Sequence, residues 1–360
     1  AQTVTVTGVD DNIIDGNINT TITMSVDDDN SDDNFDDVAN QTVTATTTDD
    51  DTAGFTLSTT TATVTEAAST ATFTVVLNAQ PDSDVVISVT SGDTGEATVS
   101  AANLTFTNAN WNSAQTVTVT GVDDNLVDGS VNTTITMAVV DASSDDNFDD
   151  VANQTVTVTT TDNDTAGFTL SSTTATVTEA AGGGNTATYT VVLNAQPDSD
   201  VVISVTSADT GEVTVSSGTL TFTNGNWNNA QTVTLTGVDD NVIDVDTQTT
   251  VTMAVVDNDS DDNFDSVANQ TVTVTTTDND TAAFTLGAIS GNVAESGTTA
   301  TFTVVLGAQP DSDVVISVTS GDTGEATVSA ANLTFTNGNW NSAQTVTVTG
   351  VDDNIIDGNI

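Results

Sequence analysis

The phrase Ala-Gln-Thr-Val begins at residues 1, 114, 230 and 343, so the chain repeats at spacings of 113, 116 and 113 residues. Such a chain must fold into a unit that tiles, and each unit must bury a core within about one repeat length. The longer middle spacing comes from three extra residues within Gly182-Gly183-Gly184-Asn185. Loops accept such insertions cheaply and strands do not, which puts this stretch in a loop. Residues 1–18 are identical to residues 343–360, which leads us to expect a segment of a longer periodic protein. The alternative is strand exchange between separate chains, the half-unit at the start of one completing the half-unit at the end of another.

Boundaries follow from a second recurring phrase, Thr-Asp-Asn-Asp-Thr-Ala at 161–166 and 277–282, with Thr48-Asp49-Asp50-Asp51-Thr52-Ala53 as its first copy. Residues 54–166 and 167–282 are then complete repeats. Residues 1–53 form the C-terminal part of one and residues 283–360 the N-terminal part of another. The linkers are a few residues long and carry no Pro or Ser-rich spacer, so consecutive units should abut.

Within residues 54–166, apolar residues alternate with Thr in seven stretches: 55–65, 70–77, 85–91, 97–107, 114–122, 133–140 and 153–161. The first and fourth look interrupted. A period of two marks strands with one face inward, here Phe73, Val75, Leu77, Ile87, Leu104, Phe106, Val117, Ile135, Met137 and Val156. No stretch has helical periodicity. The expected fold is all-β: tandem seven-stranded antiparallel β-sandwiches arranged end to end. Trp111, Trp227 and Trp340 each sit between Asn residues at a strand entrance and read as plugs of the core. Tyr189 stands where the other copies have Phe73 and Phe302, which marks it as a core aromatic.

Charge then narrows what such a fold needs. The chain carries 52 acidic side chains and no Lys, Arg or His, a formal net charge of −52 over 360 residues. Nucleic acid and direct membrane contact are excluded as partners, because both need cations to offset phosphate. No apolar run approaches the ~20 residues needed to cross a bilayer. Cys is absent, so no disulfide staples the fold. With no His, Cys or Lys for acid–base or nucleophilic work, an enzyme is not expected. Two like charges ~4 Å apart repel by about 4 kcal/mol at an effective dielectric of ~20. A domain is stable by only about 5–15 kcal/mol in total. Clustered carboxylates therefore require a cation that no side chain of this chain supplies.

The clusters are easy to place. Gly121-Val122-Asp123-Asp124-Asn125-Leu126-Val127-Asp128-Gly129 follows the fifth strand, and the same pattern recurs at Gly8 to Gly16, Gly237 to Asp244 and Gly350 to Gly358. In a sandwich whose strands alternate in direction, the loops after the first, third and fifth strands share one end with the exit of the seventh. That end collects Glu66, Asp93, Glu96, Asp123, Asp124, Asp128, Asp162 and Asp164. The copies add Asp10, Asp11, Asp15, Asp49 and Asp51 in the first part. They add Glu179, Glu212, Asp239, Asp240, Asp244, Asp278 and Asp280 in the second complete repeat, and Glu295, Glu325, Asp352, Asp353 and Asp357 in the last part. Ca²⁺ takes 6–8 oxygen ligands and suits convergent carboxylates, Mg²⁺ prefers a tighter octahedron, and zinc would want His or Cys. A second acidic loop, with Asp141, Asp145, Asp146, Asp149 and Asp150, falls at the opposite end. Another ion, a share in the site of the preceding unit, or plain hydration would suit it.

Val64-Thr65-Glu66, Leu104-Thr105-Phe106, Val119-Thr120-Gly121-Val122-Asp123-Asp124 and the closing Thr161-Asp162-Asn163-Asp164 together resemble the Calx-beta domain. The resemblance covers every repeat. It implies an immunoglobulin-like sandwich with calcium bound at its C-terminal end, and ligand positions on Glu66, Glu96, Asp123, Asp124, Asp128, Asp162 and Asp164. The pattern departs at Glu96-Ala97, where the family has Asp-Tyr, and at Asp128, where it has Glu. Thr- and Asp-rich arrays of this kind also resemble the stalks of giant bacterial surface adhesins and extracellular fibres.

The function expected is a calcium-stiffened extracellular rod, the stalk of an adhesin or the shaft of a surface fibre, with Ca²⁺ at the junctions. Its partners would be neighbouring repeats of the same long chain, lateral copies in a fibre, or surface glycans. The alternative is a calcium-dependent module that binds carbohydrate or another cell. Near-identical copies favour the rod, because recognition domains diverge while spacers stay alike.

Overall fold

The computed structural model describes residues 1–180 and 185–353. Gly182, Gly183 and Gly184 of the inserted loop, and Asp357, lie outside the described residues. Alternating Thr and aliphatic residues produce strands and short 3-10 turns, with no α-helix among the described residues. The chain divides into two compact units, Ala1–Asp164 and Thr165–Ile360.

The first unit opens with the two-stranded hairpin β1 (Ile18–Met24) and β2 (Gln41–Thr47). A complete sandwich follows, from β3 (Phe55–Leu57), β4 (Thr61–Thr65), β5 (Thr70–Leu77), β6 (Val85–Ser91) and β7 (Ala97–Val99) to β8 (Asn103–Phe106), β9 (Gln115–Gly121), β10 (Val131–Val139) and β11 (Gln154–Thr161). One sheet has the order β3-β5-β9-β7 and the other β4-β11-β10-β6-β8. The first and fourth expected strands are each split between the two sheets, β3 from β4 and β7 from β8. That crossing turns seven expected strands into nine.

Phe73 opposite Val117 in one sheet and Met137 opposite Val89 in the other face a common core with Phe106, Ile87 and Phe148. Each is at most 2% exposed, and burying such a side chain stabilises by about 1.5–3 kcal/mol. Trp111 is half-buried against this core, as expected of a plug. The sandwich is antiparallel except for one pair in which β4 runs parallel to β11, Thr61 opposite Thr157 through Thr65 opposite Thr161. This exception builds the site described below.

In the second unit the same sandwich recurs as β12 (Phe168–Leu170), β13 (Thr174–Thr178), β14 (Thr186–Leu193), β15 (Val201–Ser207), β16 (Val213–Val215), β17 (Thr219–Phe222), β18 (Gln231–Gly237), β19 (Thr247–Val255) and β20 (Gln270–Thr277). Tyr189 is a buried core aromatic whose hydroxyl meets Met253 Sδ at 3.0 Å. Six strands follow: β21 (Phe284–Leu286), β22 (Thr299–Leu306), β23 (Val314–Ser317), β24 (Ala326–Val328), β25 (Asn332–Phe335) and β26 (Gln344–Gly350). They form one four-stranded sheet, β21-β22-β26-β24, and the pair β23-β25.

Candidate metal centre

Three strand ends deliver the carboxylates of the first complete repeat to one place. Parallel pairing of β4 with β11 puts Glu66 beside Asp162, each one residue past the last paired position. Opposite Gly121 at the end of β9 lies Ala97, which holds Glu96 against the start of the acidic loop, where Val122 N–H donates to the Glu96 carbonyl at 2.9 Å. Gly121 is required there by space, because a Cβ at this position would lie 2.2 Å from the Thr65 carbonyl oxygen. Only glycine lets β9 pass that close to the end of β4. The loop then turns at Gly129, whose φ is +73° and whose N–H donates to Asp162 Oδ2 at 2.9 Å.

Carboxylate oxygens of Glu66, Asp162 and Asp164 lie within 4.8 Å of one another. Glu66 is only 1% exposed, and its carboxylate accepts from Asn163 N–H at 3.2 Å. Burial, opposed by that N–H and reinforced by Asp162, Asp124 and Asp128, pushes the Glu66 carboxyl up to about 7. Burial and then the charges of Asp128 and Asp124 also raise Glu96, and burial with Asp162 raises Asp164. Glu96 Oε2 and Asp164 Oδ2 are buried with no hydrogen-bond partner. Asp123 accepts from Asn163 Nδ2 at 2.9 Å, and Asp124 accepts from Leu126 N–H at 2.7 Å, so both are tethered at the rim. Asp93 caps its own turn by accepting from Gly95 N–H.

The second complete repeat repeats this arrangement and extends it. Glu179, Asp278 and Asp280 form one group within 4.8 Å, and Glu179, Glu212 and Asp244 form another that shares Glu179. Burial, with Asp244 and Asp240 next, pushes Glu179 up to about 7. Glu212, Asp244 and Asp280 are raised as well, burial first in each case. Glu179 Oε2, Glu212 Oε2, Asp244 Oδ1 and Asp280 Oδ2 are buried without a partner. Asp239 is held at the rim by Asn279 Nδ2 at 3.1 Å, and Asp240 caps Val242 N–H.

The terminal copies keep part of this geometry. Asp10, Asp11 and Asp15 are exposed, while Asp49 accepts from the N–H groups of Gly16 and Asp51 as Asp162 does from Gly129 and Asp164. No counterpart of Glu66 or Glu96 stands in residues 1–53. In the last part Glu295 and Asp352 are exposed, and Glu325 and Asp353 are half-buried. The pocket around Glu66 and Glu179 needs the strand that leads into Asp162 or Asp278, and Glu295 has no such neighbour among the described residues.

The second acidic loop serves another purpose. Asp145, 4% exposed, accepts from Asp82 N–H at 2.7 Å, Ser83 N–H at 2.9 Å and Asn147 N–H at 3.0 Å. Asp261 accepts likewise from Ser199 and Asn263. These are backbone caps that pin one loop to another, and no metal-like group of carboxylates forms there among the described residues.

Sequence reasoning missed the groups that link one repeat to the next. Within the first unit Gln80 N–H donates to the Asn12 carbonyl at 2.7 Å, Ile13 bridges to Gln80, and Asn147 Nδ2 reaches the Ile14 carbonyl at 3.4 Å. Within the second, Gln309 N–H donates to the Asn241 carbonyl at 2.6 Å and Val242 bridges to Gln309. Asp311 also contributes to raising Asp244. The recurring Ala-Gln-Pro-Asp turn was the available signal.

No protein-family profile matches the chain, and no curated protein matches it. Among solved structures it is similar to the calcium binding domain CBD12 of CALX1.1, at 13% identity and a TM-score of 0.28, over 62% of this chain and 99% of that one. It is also similar to CBD12 from CALX1.2, at 16% identity and a TM-score of 0.25, over 56% of this chain and 80% of that one. A surface layer protein, SbsC domains 1–6, aligns at 17% identity and a TM-score of 0.27, over 73% of this chain and 28% of that one. Likenesses this distant add nothing to the geometry of the acidic centre. The sandwich fold stands on the strand pairing itself.

The grouped ligand atoms are carboxylate oxygens, and the chain has no His or Cys. The set fits a hard divalent cation of the calcium class, which tolerates many oxygens and irregular geometry.

Proposed function

We propose that this chain is a calcium-stabilised array of structural repeats from an extracellular protein, with ions held among Glu66, Glu96, Asp123, Asp124, Asp128, Asp162 and Asp164 and their counterparts. One observation carries the reading: a buried glutamate with half-buried carboxylates within 4.8 Å, several with an oxygen that no donor reaches, in a chain with no cationic side chain. A buried, uncompensated charge cluster costs several kcal/mol, and a divalent ion at its centre reverses the sign of that cost. The motifs shared with Calx-beta domains support the choice of calcium.

Each acidic end in residues 1–53 and 167–282 also touches the turn at Gln80 or Gln309 of the repeat that follows. An ion that orders the loop at Asp10–Asp15 or Asp239–Asp244 therefore orders the contact as well. Its role is stiffening, the work of a stalk or fibre shaft. Extracellular modules bind calcium with dissociation constants of about 10⁻⁴–10⁻³ M, which suits an outside location.

Thermal melts of the chain in calcium, in magnesium and in chelator test this. Calcium at ~10 mM, about 100 times a dissociation constant of ~10⁻⁴ M, should stabilise by about 2.7 kcal/mol over chelator, and magnesium by much less. Superimposable melts in millimolar calcium and in chelator would overturn the proposal.

A further inference from the structure

The two complete repeats differ at one turn of the acidic loop. Residues 121–128 and 237–244 follow the same pattern, and then Gly129-Ser130 in the first repeat stands where Val245-Asp246 stands in the second. Gly129 takes a φ of +73°, which aims its N–H at Asp162 Oδ2, 2.9 Å away. Asp162 Oδ1 accepts from Asp164 N–H at 2.6 Å, so each oxygen of this carboxylate carries an N–H. Val245 does not copy the turn, because a β-branched residue avoids positive φ, and it stays out of that region. Asp278 keeps the Asp280 N–H at 2.6 Å, and among the described residues no N–H of Val245 reaches it.

Asp244 shows the result. It joins Glu179 and Glu212 with carboxylate oxygens within 4.8 Å, a group that shares Glu179 with Asp278 and Asp280. Glu179 is 2% exposed, and its Oε2 is buried with no hydrogen-bond partner, as are Glu212 Oε2 and Asp244 Oδ1. In the first repeat Glu66 is grouped with Asp162 and Asp164, and no group includes Asp128 among the described residues. Contact with a following repeat does not explain the difference. The loop at 10–16 touches the turn at Gln80 as the loop at 239–244 touches Gln309. Gly16 nevertheless keeps a φ of +68° and donates to Asp49 Oδ2 at 2.8 Å. The conformation follows the residue after the third Asp.

We propose that the residue at 129 or 245 sets the calcium affinity of its repeat, so that residues 167–282 load first and residues 54–166 at higher calcium. This rests on the calcium reading above. Ligand charge tunes such oxygen sites, and the groups around Glu179 bring together Glu179, Glu212, Asp244, Asp278 and Asp280, against Glu66, Asp162 and Asp164 in the first repeat. Gly129 and Val245 are positioning residues. Each places the Asp before it, and the glycine also covers an oxygen of the Asp in the closing tail. Val245 is 80% exposed, and a Cβ on Gly129 would meet nothing within 4 Å, so exchanging them leaves the core intact.

Calorimetric calcium binding to the full chain tests this. Glu66→Gln leaves the site of the second repeat to be read, Glu179→Gln that of the first, and the double variant supplies the baseline for all other acids. The site read in Glu66→Gln should be the tighter by roughly tenfold, well inside the range that ligand charge spans. Adding Val245→Gly to Glu66→Gln should weaken that site toward the value of the first repeat. Adding Gly129→Val to Glu179→Gln should tighten the other, a gain that no folding defect can imitate. Equal affinities in the two single variants, or exchanges that leave both affinities unchanged, would overturn the proposal and leave the calcium reading standing. Binding no stronger than the baseline in either single variant would overturn both.

Discussion

Glu66 is favourable with a bound cation and unfavourable without one. Its carboxyl is pushed up to about 7 from 4.5, mainly by burial, so the metal-free fold loses stability as pH rises through that interval. A pKa unit corresponds to about 1.36 kcal/mol, which puts the penalty at about 3 kcal/mol at most. Glu66→Gln removes the charge and keeps an acceptor for Asn163 N–H. At pH 8 in chelator this variant should therefore be more stable than wild type by up to about 3 kcal/mol. In calcium the order should reverse, because the charge of a proposed ligand is gone. Denaturant melts of both proteins under both conditions check this, and a variant less stable in both would refute it. The meeting of Glu66 with Asp162 and Asp164 was legible from strand parity and the missing cations. The depth of Glu66 was not, because burial depends on how far β4 runs before it ends.

The acidic loop between β10 and β11 shows how the same residue type serves two purposes in one chain. Burial alone would raise the Asp145 carboxyl, but the N–H groups of Ser83, Asn147 and Asp82 outweigh it and hold the group below its ordinary value of 3.8. A depressed carboxylate contributes stability above its unfolded pKa and loses that contribution as pH falls through the folded one. The stability difference between wild type and Asp145→Asn should therefore be widest near neutral pH and shrink as pH drops below about 3.8. Asp145→Ala, which orphans those N–H groups, should cost about 1–3 kcal/mol at pH 7. Chemical melts from pH 3 to 8 measure both, and a pH-independent difference would exclude the capping role. Asp145 was not distinguishable in the sequence from Asp146 or Asp149, since only the fold brings the turn at Asp82 and Ser83 to it. The split of residues 55–65 into β3 and β4 was likewise only half visible. Alternation continues on both sides of the crossing, and nothing in a period of two says which sheet a strand joins. The parallel pairing of β4 with β11 that follows was hidden for the same reason, yet it sets Glu66 beside Asp162.

Across the whole molecule, 52 negative charges with no basic side chain repel at every range, but screening separates the contributions. The Debye length falls from about 10 Å at 0.1 M salt to about 3 Å at 1 M. Monovalent salt therefore removes the repulsion between exposed groups such as Asp10, Asp11 and Asp15 in the first copy. It does little for Glu66 and Glu179, which are 1% and 2% exposed and have carboxylate neighbours inside 4.8 Å. A buried carboxylate with neighbours at that distance is screened little by an ionic atmosphere, whereas a coordinated ion would sit between the charges. In chelator, raising sodium chloride from 0.1 to 1 M (about a threefold shorter screening length) should raise the melting temperature steadily without reaching the value found in millimolar calcium. In calcium the same salt series should change it much less. Melting curves across a grid of salt and calcium concentrations measure this. Full recovery by sodium chloride alone would mean that diffuse charge, and not the buried carboxylates, limits the stability of the array.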